Sequence, residues 1–293
     1  PPGSTFKILT TLEYIQEHAD YENYSYTCTG SYTVGNHTIH CYGNKSHGTQ
    51  NLRQAFANSC NGAFAEIGMQ INSEKFRALA NQMLFNSELP YTLPYNQSTF
   101  SLDGSSDDWE KLQTAIGQGK TQITPLHNLM IVSAIANGGT YTKPIFFTKI
   151  LDRNGKILID NEPETRQALK DSTAYLLTSA MQDVMQSNTM YTRSGSGVKS
   201  TGTTAAIPNM SCAGKSGTTT SNVDVWFVGF TPYYTAGIWG GCDNNQPLKG
   251  GTVSNGGTSY HKRIWRNIMT RVHESLSDPG FTVPDSIETA DVC

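Results

Sequence analysis

Ser4 and Lys7 stand three residues apart in the stretch STFK, at the foot of a segment with helical apolar spacing. A serine hydroxyl is a poor nucleophile at neutral pH and needs a base beside it. A lysine held neutral by desolvation or by a second cation can serve. On one helical turn residues i and i+3 share a face, so a helical Ser4–Lys7 brings the two together. The same spacing recurs at Ser196/Lys199 and Ser259/Lys262, so it is not diagnostic alone. The pair at Ser196 lies in a glycine-rich loop with no turn to align it. Order separates the other two. Only Ser4/Lys7 precedes both Ser59-Cys60-Asn61, the single S-x-N in the chain, and Lys215-Ser216-Gly217, the single K-[ST]-G.

Each later element suits an acyl-transfer site. The Asn61 amide can donate and accept toward a peptide group, and the Ser59 hydroxyl can pass a proton between lysines and a leaving nitrogen. Lys215 supplies positive charge for a substrate carboxylate, with the hydroxyls of Ser216 and Thr218 as directional donors. Gly217 leaves room for an extended peptide to lie along the strand and pair with an exposed edge.

These residues need positioning elements, and the periodicity supplies them. Phe6 to about His18 reads as an amphipathic helix behind a Pro-Pro-Gly start. Residues 24 to 43 are rich in Tyr, Thr and Gly with a turn at Gly35-Asn36, and Asn51–Gln70 and Ser73–Phe85 return to helical spacing. A Pro-, Asn- and Ser-rich loop runs from Asn86 to Asp108. Thr124-Pro125 opens a helix that stops at Gly138-Gly139, and Lys143–Ile159 reads as a hairpin turning at Asn154-Gly155. Ser172–Gln186 is helical, Thr192–Thr204 a Gly/Ser/Thr loop. Three strand-like runs follow (MSCAGKSGTTT, NVDVWFVGFT, YTAGIWGGC), then a last helix, YHKRIWRNIMTRVHESL. Helices first and an antiparallel meander last predict an α+β fold, a sheet packed against flanking helices. No internal repeat and no sharp composition shift divides the 293 residues, which are read as one domain, 1–293.

Composition removes several classes of function. A formal charge of -3 with no dense Lys/Arg block gives little attraction to phosphates or anionic lipid, so nucleic acid is not an expected partner. The longest mostly apolar window, Pro125–Gly139, contains His127 and Asn128 and falls short of the ~20 apolar residues of a membrane span. The six cysteines show no CxxC and no Cys/His metal spacing, so neither metal nor cofactor is expected. Cys28 and Cys41 flank the candidate hairpin; sequence leaves open whether they are bridged or free.

The ordered triple STFK, SCN, KSG resembles the signature of penicillin-binding proteins and related β-lactamases. The stretches HGTQNLRQAFANSCNGAF, AIGQGKTQITPLHNLMIVSAIANGG and GKSGTTTSNVDVWFVGFTP extend the likeness to the penicillin-binding transpeptidase domain over nearly the whole chain, nearer the monofunctional, class B type. The resemblance implies an antiparallel sheet flanked by helices, with an all-helical lobe. It also implies D,D-transpeptidation of peptidoglycan. Ser4 would attack the carbonyl between two D-alanines of a stem peptide, the terminal D-alanine would leave, and an amine of a neighbouring stem would take the acyl group. β-Lactams would acylate the same serine. Carried over residue by residue, Lys7 is the base, Ser59 and Lys215 share protons with the leaving group, Asn61, Ser216, Gly217 and Thr218 bind substrate, and the backbone N–H groups of Ser4 and Thr218 form the oxyanion hole. The fold normally places a helix and two strands before the nucleophile helix, whereas only Pro1 to Gly3 precede it here. The chain is therefore expected to lack its natural beginning, with the membrane anchor upstream, to act on the extracytoplasmic face of a bacterial membrane, and to leave Tyr234–Cys242 as a sheet edge.

Rival readings share the acylation. A class A β-lactamase would need a Glu-x-x-x-Asn for the deacylating water, and the chain has none; class D enzymes share STFK but carry Val where Asn61 stands. A D,D-carboxypeptidase differs only in the acceptor. A non-catalytic β-lactam or muropeptide sensor would acylate without turnover.

Overall fold

The computed structural model describes residues 1–186, 189–191, 197–248 and 260–288. A 3-10 turn, Gly3–Phe6, leads straight into α1 (Lys7–Glu17). Four short strands follow: β1 (Tyr26–Cys28), β2 (Ser31–Val34), β3 (His37–His40) and β4 (Gly48–Gln50). β2 and β3 form the hairpin expected at Gly35-Asn36, and β1 pairs with β4 around it.

The helical run Asn51–Gln70 is divided in two, α2 (Leu52–Ala57) and α3 (Asn61–Gln70). Between them Ser59 adopts φ +54°, a left-handed conformation in which an L-residue cannot continue a helix. Cys60 then restarts the helix as its N-cap, its Sγ accepting from the Ala63 N–H at 3.4 Å. The S-x-N motif is thus a kink between two helices.

Next come α4 (Ser73–Gln82), α5 (Asp108–Ala115), whose N-cap Asp107 lies at the end of the polar loop, and α6 (Pro125–Ala136), capped by Thr124 as its sequence predicts. β5 (Thr140–Thr142) pairs with β8 (Thr165–Gln167) below the hairpin of β6 (Lys149–Leu151) and β7 (Ile157–Asp160). After α7 (Asp171–Met185) a small hairpin, β9 (Thr189–Tyr191) and β10 (Gly197–Lys199), occupies part of the expected loop. Residues 192–196 of that loop, Ser196 among them, and Ser259 lie outside the described residues.

The sheet that faces the site is β11 (Ala213–Thr218), β12 (Val225–Phe230) and β13 (Thr235–Gly240), antiparallel in that order. α6 packs on β12 and β13, α7 on β11, and α8 (Tyr260–Val272) on β12 and β13. Every residue of β12 is buried, and its alternation serves two cores. Val228 and Phe230 join the main core, while Phe227 joins a smaller one. There it meets Trp265 of α8 edge-on at 5.2 Å, and the Trp265 indole N–H donates to the Ala236 carbonyl at 3.1 Å. α1 runs through the main core, with eight successive residues buried, Lys7 to Tyr14. Among the described residues β13 pairs on one side only, with β12, and Trp239 on it is 43% exposed. No helix of the described residues is long and apolar enough to cross a membrane.

Candidate active site

The three motifs sit on three elements that meet backbone to backbone. Gly3 has φ +54°, and a Cβ there would lie 3.0 Å from the Thr218 carbonyl carbon and oxygen. Its N–H donates to the Gly117 carbonyl at 2.9 Å, and a Cβ on Gly117 would come within 2.0 Å of Gly3 O. Gly217 completes the contact: a side chain there would strike Pro2 O at 2.9 Å and Thr5 Cγ2 at 3.0 Å. The glycine of KSG therefore makes room for the STFK turn, a packing role that the sequence reading of it did not include. With these glycines in place, the turn that carries Ser4 packs against the backbone of Gly217 and Thr218.

The SCN kink closes the third side. Lys7, fully buried, donates from Nζ to the Ser59 carbonyl at 2.8 Å and to Asn61 Oδ1 at 2.7 Å, and lies 3.4 Å from Ser59 Oγ. Lys215, also fully buried, donates to Ser59 Oγ at 3.0 Å and to the Ser216 carbonyl at 3.1 Å. The two amines lie over aromatic faces, Lys7 over Phe64 and Lys215 over Phe56. Burial brings the pKa of Lys7 down to about 8. That of Lys215 falls well below the ordinary lysine value, through burial first and then the positive charges of Lys7 and Lys262. The Asn61 amide is engaged at both ends, since its Nδ2 donates to the His40 carbonyl at 2.9 Å. Its hold on Lys7 and on β3 is a role that the sequence reading, which aimed it at substrate, did not include.

Ser4, half-buried, opens onto a cleft of about 670 Å³ together with Ser59, Asn61, Ser216 and Thr218. Among the described residues β11 pairs with β12 alone, and its Ser216 and Thr218 border the cleft. Sequence reasoning passed over several of the walls. Lys262 at the start of α8 lines the cleft, with its pKa lowered by burial, although its own S-x-x-K was set aside on order. Trp109 and the hairpin residues Thr38 and His40 form the opposite wall. Nothing local in the sequence marks these, because they enter the site through tertiary packing.

The middle residue of the SCN motif points away from the cleft. Cys60 Sγ is buried with the thiols of Cys28 and Cys41 and the His47 ring, four ligand-type atoms all within 4.8 Å of one another. Cys28 and Cys41 are free thiols with sulfurs 3.6 Å apart, which decides the question of a bridge. The sequence reading concerned spacing along the chain, where no Cys/His metal pattern occurs. The grouping is absent along the chain and present in space, because hairpin closure and the helix kink gather residues from four separate segments.

The profile of the penicillin binding protein transpeptidase domain matches residues 1–270. Among curated relatives, the chain is 26% identical to penicillin-binding protein 1F of Bacillus subtilis over 98% of its own length and 36% of that protein's. It is 29% identical to penicillin-binding protein 1A of Clostridium tetani over 66% of its own length and 24% of that protein's. The chain thus spans roughly a quarter to a third of these relatives. Among solved structures, the D,D-transpeptidase domain of a peptidoglycan glycosyltransferase from Eggerthella lenta superposes with a TM-score of 0.77 at 26% identity, over 93% of this chain and 65% of that one. The imipenem acyl-enzyme of penicillin-binding protein A from M. tuberculosis gives 0.75 at 25% identity, over 92% and 59%.

Proposed function

Because the chain belongs to the penicillin binding protein transpeptidase family, we propose that residues 1–293 act as a serine D,D-transpeptidase domain that cross-links peptidoglycan stem peptides through an acyl-enzyme on Ser4. One observation carries the reading: a single hydroxyl, Ser59 Oγ, lies within reach of two fully buried lysines at the mouth of the cleft that Ser4 enters.

In this reading an extended D-Ala-D-Ala terminus lies along the free edge of β11, with its carboxylate toward Lys215, Ser216 and Thr218. Neutral Lys7 takes the proton as Ser4 Oγ attacks the carbonyl carbon. The oxyanion forms between the N–H groups of Ser4 and Thr218, an assignment that the packing of neighbouring Gly3 on the Thr218 backbone supports. Collapse breaks the amide bond, and the departing nitrogen receives its proton through Ser59, relayed between Lys7 and Lys215. An amine of a second stem peptide then attacks the ester and regenerates Ser4. β-Lactams enter the same cycle at the first step, a reading that the imipenem acyl-enzyme of the M. tuberculosis relative supports. The substrate sets the place of work, the extracytoplasmic face of the bacterial cell membrane.

Intact-mass measurement after incubation with a penicillin tests this. One adduct per chain is expected, absent in Ser4→Ala; an adduct that survives Ser4→Ala overturns the assignment. Adding an amino acceptor to a stem-peptide substrate separates transpeptidation, which yields the cross-linked product, from carboxypeptidation, which yields only the shortened peptide.

A further inference from the structure

The antiparallel register divides β11 between the two faces of its sheet. Residues paired directly across antiparallel strands place their side chains on one face. Ser216 pairs with Phe227, and Thr218 with Val225, which pairs in turn with Gly240. α8 covers that face: Trp265 meets Phe227 edge-on, and a Cβ on Gly240 would run into Tyr260 Oη. The side chains of Ser216 and Thr218 therefore stand on the α8 side of the strand. Lys215, paired with Val228 of the main core, and Gly217, packed on the STFK turn, stand on the other.

We propose that Lys262, in the first turn of α8, binds the terminal carboxylate of the donor peptide, and that of a β-lactam, beside the hydroxyls of Ser216 and Thr218. Lys215 is ill placed for that contact. Its amine is fully buried and already donates to Ser59 Oγ and to the Ser216 carbonyl, which commits it to the proton relay. Lys262 is only partly buried and lines the same cleft as Ser4, Ser216 and Thr218. Among the described residues the lining of the cleft holds no aspartate or glutamate, so its two lysines, Lys262 and the exposed Lys45 on the hairpin side, are not compensated there.

An ammonium withdrawn from water with no anion beside it is a costly arrangement, and a ligand that brings the anion relieves it. Lys262 is in that position: burial lowers its pKa, and among the described residues no carboxylate counters the effect. A carboxylate on the α8 side of β11 accepts one charge-assisted bond from Lys262 and further bonds from the two hydroxyls. It also offsets the positive charge that Lys262 turns on Lys215. A neutral terminus would leave Lys262 unpaired. The site, which rests on the donor-peptide reading of the cleft above, therefore selects a free carboxylate over an ester or amide.

Acylation of the full chain by benzylpenicillin and by its methyl ester, followed by intact mass, tests the contact. Wild type is expected to react with the acid at least about tenfold faster than with the ester. Lys262→Met keeps the apolar stem and should cut that ratio at least about fivefold, while Lys262→Arg keeps the charge and should retain most of it. A smaller change in Lys262→Met, including an equal slowing of acid and ester, overturns the site. Lys45→Met removes the same charge from the other wall and should alter the ratio less. An equal fall there assigns the preference to the field of the whole cleft and overturns the contact. Should Lys262→Met not fold, the structure of the wild-type penicillin acyl-enzyme decides: a carboxylate within about 4 Å of Lys262 Nζ supports the site, and one farther away overturns it. No adduct on Ser4 in the wild type overturns the reaction and the site together, whereas a Ser4 adduct formed without acid preference overturns the site alone.

Discussion

Lys215 Nζ donates to Ser59 Oγ at 3.0 Å across a sequence separation of 156 residues. That bond sets the direction in which the serine hydroxyl can pass its own proton, toward Lys7 at 3.4 Å or outward to the cleft. Ser59 also carries backbone strain, with φ +54°.

The two properties separate in one substitution. Ser59→Gly relieves a conformation that costs an L-residue roughly 1–2 kcal/mol, offset in part by glycine's greater freedom when unfolded. Stability within about 1 kcal/mol of wild type is expected, together with acylation slowed on the order of 10²-fold from loss of the relay. Urea unfolding and stopped-flow acylation measure the two. Acylation at the wild-type rate in a folded Ser59→Gly protein removes the relay from the mechanism.

Lys7 has a pKa of about 8 in the folded chain, lowered by burial and partly restored by any negative charge on Cys60 and Cys41, with Lys215 facing it across Ser59. It must be neutral to accept a proton, so the acylation rate should rise with pH through about 8 and then level off. The folded value lies below the ordinary one, so the unfolded chain binds the proton more tightly. Its contribution opposes folding below about 8 and fades as pH rises toward the ordinary lysine value. Lys7→Ala should cut acylation by roughly 10²- to 10⁴-fold; a rate within a factor of about three of wild type contradicts the role of base.

Gly117 supports the nucleophile turn without belonging to any motif. It has φ +74°, and a Cβ there would lie 2.0 Å from Gly3 O, so Gly117→Ala forces backbone to move. A loss of at least about 2 kcal/mol is expected, seen as a fall of several degrees in Tm, with slower penicillin acylation because the Gly3–Thr218 contact opens. Gly138→Ala, also at positive φ but with nothing near the new methyl, serves as the control that isolates the contact from the dihedral.

Trp265 is fully buried between α8 and the sheet, edge-on to Phe227. Trp265→Ala removes that packing and the indole N–H that donates to the Ala236 carbonyl. A cost of about 3–5 kcal/mol is expected from chemical denaturation. A loss under about 1 kcal/mol means that α8 is not integral to the sheet.

The candidate site was legible where its members sit in consecutive residues. STFK, SCN and KSG each carry their reactive groups within four positions, and their order along the chain chose Ser4 over Ser259. The hairpins at Gly35-Asn36 and Asn154-Gly155 and the Thr124-Pro125 cap were legible because turn and cap chemistry is local. The kink at Ser59 was not, because apolar spacing continues in phase across it from Leu52 to Ile67 and only the backbone dihedral breaks. α5 was hidden by a first turn that reads as polar loop. The Cys28/Cys41/His47/Cys60 grouping was invisible for the opposite reason to STFK: its members come from four segments and meet only once β1 has paired with β4 and α3 has been capped. The packing of Gly217 against Pro2 and Thr5 was not legible either, since a sequence does not say which side of a strand another backbone will occupy.

The site joins the first residues of the chain to a strand more than two hundred residues later, and this has a kinetic consequence. Contacts of such separation form after local ones, because the intervening chain must first be ordered. During synthesis the STFK turn and the kink emerge early, and β11 late. Until β11 docks, Lys7 and Ser59 lack Lys215, and Gly3 has no Thr218 against which to settle. A nascent chain that ends before Thr218 is therefore expected to be inert toward penicillin however compact it has become, and covalent labelling of Ser4 would time the final step of folding rather than its beginning.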